Sequence, residues 1–208
     1  MAISLRKGEG VNLRKEAGFN LKRLTIGLGW DVAGSDSNNY DLDAIALVCR
    51  QDGRVYDLGK ADAKGKPTLV GGDVVFYNSL THPSGHIQLS GDNRSGSVGE
   101  DAEQITVALD ALPEHFGKIV FVVAIHNGKA LKQSFAAVTN AYIRAVDGNG
   151  TEICRYNISR EAGYEQYCSL TFATVERKNQ VWSFQAVGQM HESDRFIDVL
   201  KTYLPYPT

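Results

Sequence analysis

Short apolar runs rich in β-branched and aromatic residues recur along the whole chain and set its architecture. They fall at Leu24 to Leu28, Ala44 to Val48, Val74 to Tyr77, Ile105 to Leu109, Ile119 to Ile125, Ala141 to Val146, Ile153 to Ile158, Leu170 to Val175 and Val181 to Val187. Turn residues separate most of them, the rhythm of a β-sandwich or barrel. Between Gln180 and Val187 apolar and polar residues alternate, with Trp182 and Phe184 on one parity and Val181 and Val187 on the other. One face of that strand is therefore core, and the other is only partly covered. Asp147, Gly148, Asn149 and Gly150 lie between two runs and are hairpin residues, tolerant of the positive φ of a tight turn.

One helix is expected. It starts near Ser193 or Asp194, either of which can cap, and ends at Leu204 before Pro205. Phe196, Ile197, Leu200, Tyr203 and Leu204 share its apolar stripe, so it should pack on the sandwich. A weaker helical turn is expected around Gln133 to Val138. There is no internal repeat and no Pro/Gly linker, so the expectation is an all-β, single-domain sandwich over residues 1–208 with a C-terminal helix packed on it.

Composition narrows the function classes only a little. The 208 residues are 43% hydrophobic and 22% charged with a formal charge of −2, which gives no general attraction to nucleic acid or anionic lipid. Met1 to Lys7 holds no apolar stretch of signal-peptide length and no later run reaches membrane-spanning length, so a cytoplasmic location without direct membrane insertion is the default expectation. Cys49, Cys154 and Cys168 form no Cys-x-x-Cys pair and read as buried free thiols; a Cys154–Cys168 bridge is disfavoured in a reducing compartment.

The distribution of charge says more than its sum. Asp31, Asp36, Asp41 and Asp43 fall between Trp30 and Cys49 with no Lys or Arg. Asp92, Glu100, Asp101 and Glu103 fall between Ile87 and Ile105 against Arg94 alone. These windows carry −4 and −3, which leaves the rest of the chain at about +5. Clustered carboxylates repel and persist most readily around a cation. Calcium suits them because it takes about six to eight oxygen ligands in flexible geometry. Asp41 and Asp43 are two apart, so in extended chain both point the same way while Leu42 faces the core. Asp31 ends the preceding strand, and Asp92 and Asn93 follow Gly91, where a turn can aim them at one point. The lack of His or Cys among these acids argues against zinc or copper, and the spacing is not that of an EF-hand.

Several ordered motifs resemble the TerD family of tellurium-resistance and general-stress proteins. They are Gly29-Trp30-Asp31, Asp41-Leu42-Asp43-Ala44, Asp73 to Asn78, Gly91-Asp92-Asn93, Asp101 to Ile105, Lys118 to Val123 and Asn140 to Arg144. The resemblance implies a calcium-binding β-sandwich in the bacterial cytoplasm with no established catalysis. It implies ligands at Asp31, Asp41, Asp43, Asp92, Asn93, Asp101 and Glu103, and places Asp73 and Asn78 of the matching motif among the candidates. Partners are then expected among other stress and tellurium-resistance proteins, including a membrane-associated complex, and not among nucleic acids. The family's second acidic loop is richer in carboxylates than Gly96 to Glu103, which lacks them at Gly99 and Ala102, so one calcium is a more secure expectation than two.

Two other functions compete. A calcium-dependent membrane-docking module would carry basic or protruding apolar residues beside the metal, and the acidic loops offer only Arg94 and Val98. A hydrolase using paired carboxylates would need a sugar-sized cleft and two different acid environments. His82 and His86 have metal-like spacing, but Pro83 and Gly85 between them make a turn. The stretch from Gly59 to Lys66 lacks the spacing and the Ser or Thr of a phosphate loop.

Overall fold

A computed structural model describes residues 2–14, 18–32, 40–90, 101–158 and 163–206. Twelve strands follow in chain order: β1 (Ile3–Leu5), β2 (Gly10–Leu13), β3 (Leu24–Val32), β4 (Leu42–Arg50), β5 (Val74–Val75), β6 (Ile87–Leu89), β7 (Glu103–Val107), β8 (Phe116–Ile125), β9 (Val138–Val146), β10 (Glu152–Ile158), β11 (Ser169–Lys178) and β12 (Val181–His191). Among the described residues there are also two short helices, α1 (Gly128–Leu131) and α2 (Phe196–Lys201), and a 3-10 turn at Tyr164–Gln166. The strands form two six-stranded sheets, ordered β1-β10-β9-β3-β7-β6 and β2-β12-β11-β8-β4-β5. β1 and β10 run parallel and the other neighbouring pairs antiparallel. The expected all-β sandwich with a C-terminal helix is what the chain forms.

Burial follows the period of two. On β12, Trp182, Phe184 and Ala186 are buried while Gln185 is exposed, so the Trp182/Phe184 parity is the core parity. Between the sheets lies one apolar layer built around Ile26, Leu28, Ile105, Phe121 and Phe184. A second layer covers the outer face of the second sheet. There the alternate residues Ile45, Leu47 and Cys49 of β4 and Val120, Val122 and Ala124 of β8 pack under Val55, Leu69 and α2, which contributes Phe196, Val199 and Leu200. β4 and β8 are thus buried on both faces, which is why their sequences read as continuous apolar runs. The outer face of the first sheet is polar and carries Tyr142, Arg144 and Arg155.

Some expectations need correcting. α2 begins at Phe196, later than Ser193, and ends at Lys201, before Leu204. Ser193 instead sets up the approach: its hydroxyl donates to Asp198 Oδ2 at 2.7 Å and accepts the Arg195 N–H at 3.1 Å. The helical turn expected at Gln133 to Val138 is displaced to α1, which Lys132 ends in the left-handed region at φ 56°. β5 is only two residues, because the chain turns at Phe76 to Ser79. The Asp147 turn is as expected: Asp147 accepts the N–H groups of Asn149 and Thr151, and Gly150 has φ 81°. All three cysteines are buried and unbridged.

Candidate metal centre

The topology brings the exits of both acidic segments to one end of the sandwich. β3 arrives there with Asp31 as its next-to-last residue, β4 leaves with Asp41 just before it and Asp43 as its second residue, and β7 enters with Glu103 as its first. Glu103 shares a parity with Ile105 and Val107, so its side chain turns inward between the sheets. Its Oε2 accepts the Ala44 N–H at 2.6 Å, and the side chain is 3% exposed. This bond links the β7 entrance on one sheet to the β4 entrance on the other. The Ala102 N–H also donates to Leu28 O at 2.7 Å, and the His126 N–H to Asp41 O at 2.7 Å.

The carboxylates at this end leave on different faces. Leu42 and Ala44 enter the core between the sheets, while Asp43, on the Ile45 parity, opens over the outer face of the second sheet. It is 8% exposed, and its Oδ2 is hydrogen-bonded to His126 Nδ1 at 3.1 Å. Asp31 Oδ2 accepts from Asn140 Nδ2 at 2.8 Å, where the β3–β9 register shifts and Asn140 takes φ 51°. Asp41 is half-buried at the mouth of the loop. Among the described residues, no three His, Cys, Asp or Glu side chains converge as a metal site. Asp92 and Asn93 lie outside the described residues, as does Asp36.

Three other candidates have other surroundings. Asp73 is buried at the start of β5, where Oδ2 accepts the Asp57 N–H at 3.0 Å and Oδ1 binds His82 Nε2 at 3.2 Å. His82 Nδ1 accepts the Ser84 N–H at 3.2 Å, which assigns the ring proton to Nε2, facing Asp73. Burial alone would raise the Asp73 carboxyl, but the bonds from His82 and the Asp57 N–H outweigh it and hold the group below its ordinary value. Asn78 is exposed on the turn after β5.

Asp101 lies on the outer face of the first sheet. There it accepts both Arg144 Nε at 2.8 Å and Nη2 at 2.9 Å, together with the Tyr142 hydroxyl at 3.0 Å. The carboxylate sits where a Cβ on Gly27 would be, and the Tyr142 ring sits where one on Gly29 would be. The two glycines make the notch that holds this group. Burial and the Asp101 charge push the Tyr142 hydroxyl up to about 12, and the hydrogen bond to Asp101 raises the Arg144 guanidinium further.

Four residues at these positions were not expected from the sequence to take part in a site: His126, and Asn140, Tyr142 and Arg144 of the Asn140 to Arg144 motif. Each sits on a strand or turn remote in sequence from the acid it binds. The sequence signals for the last three are their place in that motif and the alternation of Tyr142 and Arg144 on β9. The thiols offer little to a metalloid, since burial pushes Cys49 and Cys154 up to about 12 and keeps them protonated.

The donors at the acidic end are oxygens, the chemistry of a hard cation such as calcium. Asp31, Asp41, Asp43 and Glu103 do not close a shell by themselves.

The profile of the TerD domain matches residues 1–203. The chain is 44% identical to tellurium resistance protein TerX of Serratia marcescens, over 98% of this chain and 100% of that protein. It is 34% identical to stress response protein SCP2 of Bacillus subtilis, over 98% and 100%. A crystal structure of a homologue of telluride resistance protein TerD from Streptomyces coelicolor superposes with a TM-score of 0.61 at 24% identity, over 89% of this chain and 100% of that one, and shares the fold. No helix among the described residues is long and apolar enough to cross a membrane.

Proposed function

The chain belongs to the TerD family, and from that premise we propose that it is a calcium-binding stress-response and tellurite-resistance protein of the cytoplasm, a non-catalytic scaffold or sensor. Its ligands are drawn from Asp31, Asp41, Asp43 and Glu103 with Asp92 and Asn93. One calcium ion is proposed. Asp101 and Asp73 are held by Arg144 and His82 and are left out of this set, and so is Asn78, exposed on the turn after β5. The partners are other stress or tellurium-resistance proteins, including members of a membrane-associated complex.

What carries the reading is the bond from Ala44 N to Glu103 Oε2. It fixes the two acidic segments, far apart in sequence, at a common end where their like charges would otherwise repel. When bound, calcium supplies charge neutralisation and a cross-link between those segments. The chain's own residues do the rest: Glu103 holds the two sheets in register at that end, and His126 and Asn140 orient Asp43 and Asp31. The names of the relatives, one for tellurium resistance and one for stress response, support the physiological half of the proposal.

The test is thermal unfolding of the purified protein in calcium and in chelator. Calcium at a hundredfold its dissociation constant should stabilise the fold by about 2.7 kcal/mol. Identical melting curves would defeat the proposal.

A further inference from the structure

Beside Asp43, a cleft of about 340 Å3 opens on the outer face of the second sheet, between the Thr68 to Asn78 stretch and the chain entering α2. Its floor is apolar, made by Leu69, Phe76, Ala124 and Phe196, and its rim is polar. The volume suits a ligand about the size of an aromatic side chain with one polar head.

The two acids that line the cleft are engaged within its wall. Asp43 is hydrogen-bonded to His126, and Asp194 Oδ2 accepts the Lys129 N–H at 2.9 Å. The donors are not engaged in the same way. Arg195, Asn78, Asn127 and Tyr77 line the same cleft, with the Arg195 charge also acting on Asp198, and none of these four side chains makes a hydrogen bond within the described structure. The Tyr77 ring stands edge-on to His126 with centroids 6.0 Å apart, which fixes one wall. Open donors over an apolar floor call for a ligand with an acceptor head and an apolar body.

We infer that this cleft binds a small carboxylate carried on an apolar body, with Arg195 and the Asn78 and Asn127 amides receiving the carboxylate and the Phe76 and Phe196 floor receiving the body. A planar carboxylate matches the guanidinium fork. A doubly charged phosphate fits less well, because Asp43 and Asp194 stand on the same walls. The inference does not rest on calcium.

Phenylacetate titrated into the 15N-labelled protein in chelator tests it, with phenylacetamide and phenethylamine as matched neutral and cationic probes. The inference expects saturable shifts at the amides of Tyr77, Asn78, Asn127 and Arg195, with phenylacetate at least tenfold tighter than either analogue. Arg195→Gln should weaken phenylacetate about tenfold, a charged hydrogen bond's worth. Lys132→Gln, which removes the same charge outside the cleft, should leave binding within twofold. Melting temperatures like that of the parent chain would show that both variants are folded. Absence of saturable shifts at those amides, equal binding of phenylacetamide, or unchanged affinity in Arg195→Gln would each overturn the inference.

Discussion

Asp73 shows how a buried carboxylate can look like a metal ligand in sequence and act as a structural pin in the fold. Its two oxygens join the His82 turn to the Asp57 backbone, across stretches that pair little by strand hydrogen bonds. Asp73→Ala should cost about 2 kcal/mol at neutral pH, since it removes bonds to a charged acceptor and strands a buried imidazole N–H. The folded-state pKa is depressed, so this contribution is fully present above the ordinary carboxylate value of about 4 and is lost as pH falls through the lower, folded value. Urea unfolding at pH 7 and pH 3 checks both halves: the gap between parent and variant should be wide at the first and should shrink at the second. A gap that stays constant would mean that Asp73 acts through packing and not through its charge.

The same residue marks a limit of the sequence reading. The alternation around Asp41 and Asp43 predicted that Leu42 enters the core, and it does, because the period of two is local. What binds each acid is not local. His126 lies on the β8–α1 connection and Asn140 on β9, and no spacing rule joins them to residues 83 and 109 positions earlier. For Asp101 the decisive partners are Arg144 and a glycine notch, which together turn a loop acid into half of an ion pair.

Among the elements, long apolar strands were readable and short edge strands were not. β3, β4, β8 and β11 each announce themselves by a run of β-branched and aromatic residues. β1, β2 and β6 are three or four residues with exposed positions, and only their pairing with β10, β12 and β7 makes them strands. α2 carries the expected apolar stripe over fewer residues, because Ser193 and Arg195 bind each other outside the helix. That stripe covers β4 and β8. Phe196→Ala should therefore destabilise by about 3 kcal/mol, the usual range for truncating a buried aromatic side chain, read by chemical denaturation. A loss under about 0.5 kcal/mol would show that α2 is a passive appendage and not the lid of the second apolar layer.

At the scale of the whole molecule, the sandwich turns a one-dimensional charge pattern into a local one. Acidic windows separated by some forty residues of chain are joined at one end by the bond between Ala44 and Glu103. The fold class was legible because many runs agreed, but the convergence of the two segments was not, since it depends on β3 pairing with β7 while β4 crosses to the other sheet. The described carboxylates reach that end on different faces and do not close a shell by themselves, which is why the proposed ligand set also draws on Asp92 and Asn93.

Calorimetric titration of calcium into the parent chain, Asp43→Asn and Asp36→Asn tests this most directly. The account predicts one site per chain, affinity at least tenfold weaker in Asp43→Asn, and little change in Asp36→Asn. Equal effects of the two substitutions would contradict the proposed ligands, and no heat of binding in the parent chain would contradict the calcium reading itself.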